Sequence, residues 1–371
     1  MTSTSRGWRI GTLSGIPIYL GRSWVLVAVL MMVLFGPTVR LAEPGLGAWS
    51  YVVALVFALL LLVSVLAHEA AHALVAQRVG YRVSRMVADF WGGHTAHDGA
   101  GGTPGRSAAV AVVGPLANGV LALVGWWLMG LMPDGVPGLL AFAFMWSNAF
   151  VAVFNLVPGL PLDGGFLLEA LVWRLSGNRH LGTLVAGWTG RLLVVLIALW
   201  AVAPTVLEGE QLSITRVLWV GLIGMFLWQG ASQAVVSGRH GLAVSRRRVG
   251  DAVTEVGVVP AGSPLSTVAW GSRPLWVVLD DAGRPDGIVD PTSLQDVPAA
   301  AWATTQVSAV AVRLPSGWVL QAGADDPLED ALAVMRSTGS GVVALVDEQG
   351  RPWGAVLVGD MLASGPRSPR S

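Results

Sequence analysis

The chain has no cysteine and no lysine. Without cysteine there is no disulfide scaffold, no thiolate metal ligand and no cysteine nucleophile, and the redox compartment stays open. Without lysine there is no Schiff-base chemistry, and all 23 basic residues are arginines. Charge of either sign is scarce: 12% of the 371 residues carry one, against about 25% in an ordinary soluble domain. The 23 basic and 23 acidic residues cancel, so no global field recruits a polyanion, and nucleic acid is not an expected partner. What fills the chain instead is apolar, 53% of it.

A helix that crosses a bilayer needs about 20 mainly apolar residues. Six stretches qualify: 23–39, 49–76, 107–132, 138–157, 191–207 and 217–236. Residues 44–67, 107–133 and 135–162 contain no charge at all. Helices of a soluble protein seldom stay apolar on every face for so long, so a lipid bilayer is the expected surroundings. Residues 1–22 lack a compact apolar core followed by a small-residue cleavage site, and no secretory signal is expected there. Arginine placement orients the spans. Arg6, Arg9 and Arg22 precede the first span; Arg78, Arg82, Arg85 and Arg106 lie between the second and third. Arg174 and Arg179 follow the fourth, and Arg239 with Arg246, Arg247 and Arg248 follows the sixth. With six spans these segments share one side, expected to be the cytoplasm, together with both termini.

The second span carries Leu66-Ala67-His68-Glu69-Ala70-Ala71-His72 near its inner end. Histidines at i and i+4 share one helical face, one turn apart, so both imidazoles can meet one Zn²⁺. Glu69, beside the first, can take a proton from an activated water. With this composition the pattern arises by chance in roughly 0.2% of such sequences. Ionisable groups inside a membrane are costly and mark function.

An open catalytic zinc site wants a third protein ligand. His94, His97, His180, His240 and a few carboxylates are candidates; the strongest is Asp163. It lies in Asn155-Leu156-Val157-Pro158-Gly159-Leu160-Pro161-Leu162-Asp163-Gly164-Gly165, where prolines and glycines break the helix at the end of the fourth span. Non-helical backbone at membrane depth needs protein or a polar cavity around it. The second and fourth spans run in the same direction, so His68, His72 and Asp163 reach a similar depth.

These motifs together resemble the site-2 protease family of intramembrane zinc metalloproteases over about residues 7–238. Gly92-Gly93 and Gly114-Pro115-Leu116-Ala117-Asn118 are further points of similarity. The resemblance implies zinc held by His68, His72 and Asp163, Glu69 as the catalytic base, and Asn155 as a hydrogen-bond donor to the oxyanion. It also implies a strand-like element in 91–105 that receives an extended substrate by edge pairing. The loop 80–106 is too short for a PDZ-like insertion. His94 and His97 read best as solvated loop residues, Glu169 as a helix-surface residue and Arg191 as an interfacial anchor. Asn118 either lines the cavity or packs the Gly114-Pro115 kink.

Composition changes after Gly238, where charges and short β-rich runs return. Asp280-Asp281-Ala282-Gly283-Arg284-Pro285-Asp286-Gly287 recurs as Asp347-Glu348-Gln349-Gly350-Arg351-Pro352-Trp353-Gly354. Each copy lies between apolar runs, which reads as a hairpin. Pro264-Leu265 and Pro327-Leu328 open helical patterns. This half is similar to a pair of CBS modules over about 248–363. Such pairs often bind adenine nucleotides through a small hydroxyl residue and an aspartate after the last strand. Asp360 keeps the aspartate, but Leu357 stands at the hydroxyl position; Asp290 and Ser293 occupy the two positions in the first copy. A homodimer through the pair is also implied.

The expected architecture is a polytopic α-helical membrane protein of about six spans with a C-terminal cytoplasmic α/β CBS pair. Its bounds are 1–238 for the membrane domain, 239–247 for a linker, 248–363 for the pair and 364–371 for a disordered tail. The expected activity is intramembrane zinc endopeptidase, cutting single-span membrane proteins near the cytoplasmic face. An inactive membrane metal sensor and a CBS-regulated metal transporter are the alternatives. Intact Glu69 argues against the first, since a pure binding site needs no base; a single ligand cluster argues against the second.

Overall fold

In the computed structural model of the chain, residues 7–89, 92–98, 102–207, 209 and 214–359 are described. The chain divides into two units, Met1–Arg239 and His240–Ser371.

The first unit opens with strands that sequence reading did not assign. β1 (Gly7–Leu13) and β2 (Ile16–Gly21) form a hairpin around Ser14 and Gly15, whose φ values are 49° and 81°. Two central residues with positive φ match the twist of the flanking strands. Helices α1 (Trp24–Ala42) and α2 (Ser50–Arg78) follow, then strands β3 (Arg82–Asp89) and β4 (Gly92–Asp98). The four strands make one sheet in the order β1-β2-β3-β4, with β2 parallel to β3 and β3 antiparallel to β4. Ile16 and Met86 pack this sheet against Ala73 toward the C-terminal end of α2.

Helices α3 (Pro104–Met129), α4 (Val136–Asn155), α5 (Asp163–Ser176), α6 (Arg179–Leu207) and α7 (Ile214–Ser245) complete the unit. Among the described residues, 6 helices are long and apolar enough to cross a membrane: α1, α2, α3, α4, α6 and α7. Their packing is inverted relative to a soluble bundle. Large side chains such as Leu26, Val33, Leu123, Trp126, Phe150, Leu199 and Trp200 point outward, while the buried positions of α2 include Ser64, His68, Glu69 and His72 beside alanines. Small residues let helices approach where lipid supplies no hydrophobic drive. Gly125 of α3, for example, leaves room for the backbone of Met145 in α4.

Two expected bounds change. The fifth span, read as starting at Arg191, belongs to a helix that begins at Arg179. Arg179 at its start, though exposed, donates to the buried Glu169 at 2.8 Å. The expected linker 239–247 is helical through Ser245, as the end of α7.

The second unit is a reciprocal repeat. Its elements are β5 (Val253–Thr254), β6 (Val256–Pro260), β7 (Leu275–Leu279), β8 (Pro285–Val289), β9 (Val312–Arg313), β10 (Val319–Gln321), α8 (Leu328–Thr338), β11 (Val342–Val346) and β12 (Pro352–Leu357). The sheets run β6-β7-β8-β9 and β10-β11-β12-β5. Each copy thus lends its leading short strand to the other copy's sheet, and Val277, Trp318 and Ala344 form a shared core. The repeated motif makes both hairpins. Asp280 accepts from the backbone N–H groups of Ala282 and Arg284, and Asp347 from those of Gln349 and Arg351. These bonds, with the partner arginine side chains, hold both carboxyls below their usual range. The helix expected after Pro264 is reduced to short 3₁₀ turns at Leu265–Thr267 and Trp270–Ser272; Gly271 and Pro274 interrupt it. Asp360 and the tail 364–371 lie outside the described residues.

Candidate metal centre

The structure brings His68, His72 and Asp163 together from two helices. The two Nε2 atoms are 3.0 Å apart. Asp163 Oδ2 is 3.2 Å from His68 Nε2, and Oδ1 is 3.4 Å from His72 Nε2. Side-chain exposures are 11% for each imidazole and 15% for the carboxylate. Among the described residues this is the one group of three such side chains whose ligand atoms all lie within 4.8 Å of one another.

The opposite ring nitrogens fix what the cluster presents. His72 Nδ1 donates to Val110 O at 2.7 Å; a carbonyl only accepts, so the proton sits on Nδ1. His68 Nδ1 donates to Asn118 Oδ1 at 2.6 Å. In the neutral form that can ligate a metal, each ring then presents Nε2 as a lone pair, and the two Nε2 atoms face each other and a carboxylate. Asp163 Oδ2 is buried and accepts no hydrogen bond despite its closeness to His68. Acceptors facing acceptors repel unless a cation lies between them.

The donor set and spacing suit zinc. Four-coordinate zinc with bonds of about 2.0–2.1 Å sets its ligand atoms about 3.3 Å apart, a spacing that the observed 3.0–3.4 Å separations bracket. Gly114 of α3 completes the cradle, since a Cβ there would fall on both imidazoles. Its place in the sequence motif thus has a steric reason.

Local sequence explains how Asp163 arrives. α4 ends at Asn155, and residues 156–162 cross back without helix. Asp163 opens α5, where a carboxylate is favoured by the helix dipole. A Cβ at Gly164 would meet the carbonyls of Leu156 and Val157, so this turn presses directly on the crossing segment. That segment is pinned to α6 by Leu160 N donating to Ala186 O at 3.1 Å, and Pro161 packs on Gly230 of α7.

The remaining sequence candidates fall in different places. Glu69 is buried next to His68 on α2. Asn155 is half-buried at the end of α4. Asn118 is not a packing residue of the kink but the partner of His68. Glu169, expected on a helix surface, is 4% exposed and paired with Arg179. Arg191 lies within α6 against the faces of Trp188 and Trp228, and donates to Ser232. His94 and His97 belong to β4, the strand at the end of the sheet. Sequence reading missed Asn148 and Ser64, which continue the polar path behind Asn118. The signal was there, as an amide in a run without charge.

Comparison with known proteins gives the family. The sequence profile of Peptidase family M50 matches residues 56–137 and 133–199, a range that contains the histidine pair, Gly114, Asn155 and Asp163. A Synechocystis protein provisionally named a zinc metalloprotease is 30% identical over 314 residues, covering 81% of each chain. This chain belongs to peptidase family M50. A Mycobacterium tuberculosis protein, Rip3, with the same provisional name, is 30% identical over 82% of this chain and 78% of that one. A solved site-2 protease from Methanocaldococcus jannaschii is 22% identical, covers 62% of this chain and 95% of its own, and has a TM-score of 0.43. The CBS domain profile matches residues 319–365, the second copy of the repeat. The M50 member described here is thus a multi-pass membrane metalloprotease with a C-terminal CBS unit.

Proposed function

We propose that the protein is an intramembrane zinc endopeptidase that cuts single-span membrane proteins near the cytoplasmic face. The observation that carries this reading is the convergence of His68 Nε2, His72 Nε2 and Asp163 on one point, lone pairs inward. These three residues would hold the ion. When bound, zinc supplies Lewis-acid activation of a water and of the scissile carbonyl. Glu69 takes the water's proton and returns it to the leaving amine, the dual role of a general base. Asn155, at the mouth of the crossing segment, is assigned as a donor to the oxyanion. A substrate helix must unwind first, because its carbonyls are hydrogen-bonded and shielded. The outer edge of β4 offers a backbone for the extended segment to pair with.

The arginine asymmetry supports a cytoplasmic location for both termini and for the inner ends of α2 and α4. Substrates of this kind include membrane-anchored anti-sigma factors and signal-peptide remnants. We assign the CBS unit a modulating role, as a dimerisation element and an adenine-nucleotide site that uses Asp360. Leu357, Asp290 and Ser293 depart from the usual hydroxyl-and-aspartate pattern of such a site.

The test compares wild type with Glu69→Gln on a panel of single-span substrates, with zinc measured in both. The amide keeps the size of the side chain but cannot accept the proton. Zinc should stay near one per chain while cleavage falls by at least roughly 10²–10⁴-fold. Equal cleavage by the two proteins removes Glu69 from the mechanism.

A further inference from the structure

Behind His68, a chain of hydrogen bonds crosses three helices. His68 Nδ1 donates to Asn118 Oδ1 at 2.6 Å, and Asn118 Nδ2 donates to Asn148 Oδ1 at 2.8 Å. Asn148 Nδ2 donates to Ser64 Oγ at 3.0 Å and to Phe144 O at 2.9 Å. Ser64 Oγ then donates to Leu60 O at 2.9 Å. Asn118 at 2%, Asn148 at 1% and Ser64 at 3% exposure are all buried.

The far end dictates the near end. Leu60 O and Phe144 O are backbone carbonyls and can only accept. Phe144 O therefore fixes which end of the Asn148 amide is nitrogen, and Leu60 O orients the Ser64 hydroxyl so that Oγ accepts from it. The Asn148 oxygen must then face Asn118, which must answer with its own NH₂. That turns the Asn118 oxygen toward His68, so the imidazole must carry its proton on Nδ1 and leave Nε2 as a lone pair. Reversing any one member would set donor against donor or acceptor against acceptor in a buried site, where unmade hydrogen bonds are costly.

We propose that Asn148, which hydrogen-bonds to Asn118, Ser64 and Phe144 and to none of the three ligands, is a positioning residue for the ligand His68. Acting through Asn118, it holds His68 in the tautomer and orientation that direct Nε2 to the metal. The inference rests on the zinc reading of the cluster. Groups that orient a ligating histidine typically contribute about 10–100-fold to metal affinity.

The experiment measures zinc affinity of the full chain in detergent by chelator competition. Asn148→Leu, similar in size but apolar, should weaken zinc about tenfold, in keeping with the range for such outer groups. Asn148→Asp, as the neutral acid, keeps an oxygen facing Asn118 and an O–H that can donate to Phe144 O, and should stay within about threefold of wild type, at the edge of what such groups contribute. A packing role would instead favour neither variant. Because Asn148 acts through Asn118, Asn148→Leu should have no further effect in an Asn118→Leu background. Should Asn148→Leu fail to fold, Asn148→Ala adds no bulk and carries the same expectation. Wild-type zinc affinity in the folded apolar variant, or an equal loss in both backgrounds, overturns the proposal while leaving the zinc reading intact. A wild-type chain that takes up no zinc overturns both.

Discussion

Gly114→Ala tests the metal centre through a single methyl group. The added Cβ would stand 2.5 Å from His68 Cε1 and 2.6 Å from His68 Nε2, and it would also fall on His72 Nε2. Carbon contacts are comfortable at about 3.5 Å, so the rings or α3 must retreat by about 1 Å. Metal–ligand distances tolerate only about 0.2 Å. Relieving the clash turns a ring off its Nδ1 hydrogen bond or shifts α3, and either change moves Nε2 away from the point where the ligand atoms converge. Overpacking of this kind costs about 1–3 kcal/mol, which converts to zinc binding weakened about 5- to 150-fold at 1.4 kcal/mol per tenfold. Gly119 on the same helix is the control, because a Cβ there meets nothing within 4 Å. Gly119→Ala should bind zinc like wild type and be slightly more stable, since alanine is the better helix former. Chelator competition with thermal unfolding on the purified variants reads both quantities. If Gly114→Ala binds zinc within threefold of wild type, or if Gly119→Ala loses as much, the steric reasoning fails.

Other perturbations probe the rest of the molecule. A reporter fused after Ser371 should be active only as a cytoplasmic reporter; external activity would overturn the orientation drawn from the arginines. Removing residues 248–371 should change cleavage rate or dimer content while zinc stays bound; a truncated protein equal to full length in both would make the CBS unit a passive cap. The hairpin aspartates predict acid sensitivity. Asp280 and Asp347 have carboxyls held low by backbone N–H groups and their arginines. A lowered folded pKa gives stability that is present above the unfolded value, about 3.9, and is lost as pH falls through the folded one. Asp347→Asn should therefore lower the melting temperature of the C-terminal unit at pH 7, with the gap closing toward about pH 3. A gap that persists at acid pH would mean that the carboxylate charge is not what matters.

How far sequence could see depends on whether a feature is local. The histidine pair is a one-turn relation within α2, and any reader of helical spacing finds it. Asp163 is distant, yet prolines and glycines in 156–162 announce a helix break that needs a polar site. The hairpin motif of the second unit repeats with five of its eight residues unchanged. By contrast, the start of α6 was hidden because Arg179 looks like the end of a loop until Glu169 is known to face it. Asn118, Asn148 and Ser64 come from three helices, and only the rotation of each helix about its axis brings them into line. The β1–β2 hairpin is a different failure, since Ser14-Gly15 between two apolar runs was a readable turn signal.

That division has a physical basis. The metal atoms are chosen by chemistry that few residue types can supply, so the ligands stand out against an apolar chain. What holds them is made from residues that are common anywhere: glycines that let backbones close up, amides, a serine and main-chain carbonyls. Three acceptors that face one another repel when no cation is present, so the frame must hold them against that repulsion from outside the cluster. Each part of the frame comes from a different element. α3 supplies Val110 O, Gly114 and Asn118; α4 supplies Asn148; α6 grips the crossing segment through Ala186; and α7 seats Pro161 on Gly230. α2 and α5 carry the ligands but depend on the other helices to keep them aimed. The site is therefore a property of the whole bundle, which is why the ligands can be found from a short motif while their precision cannot.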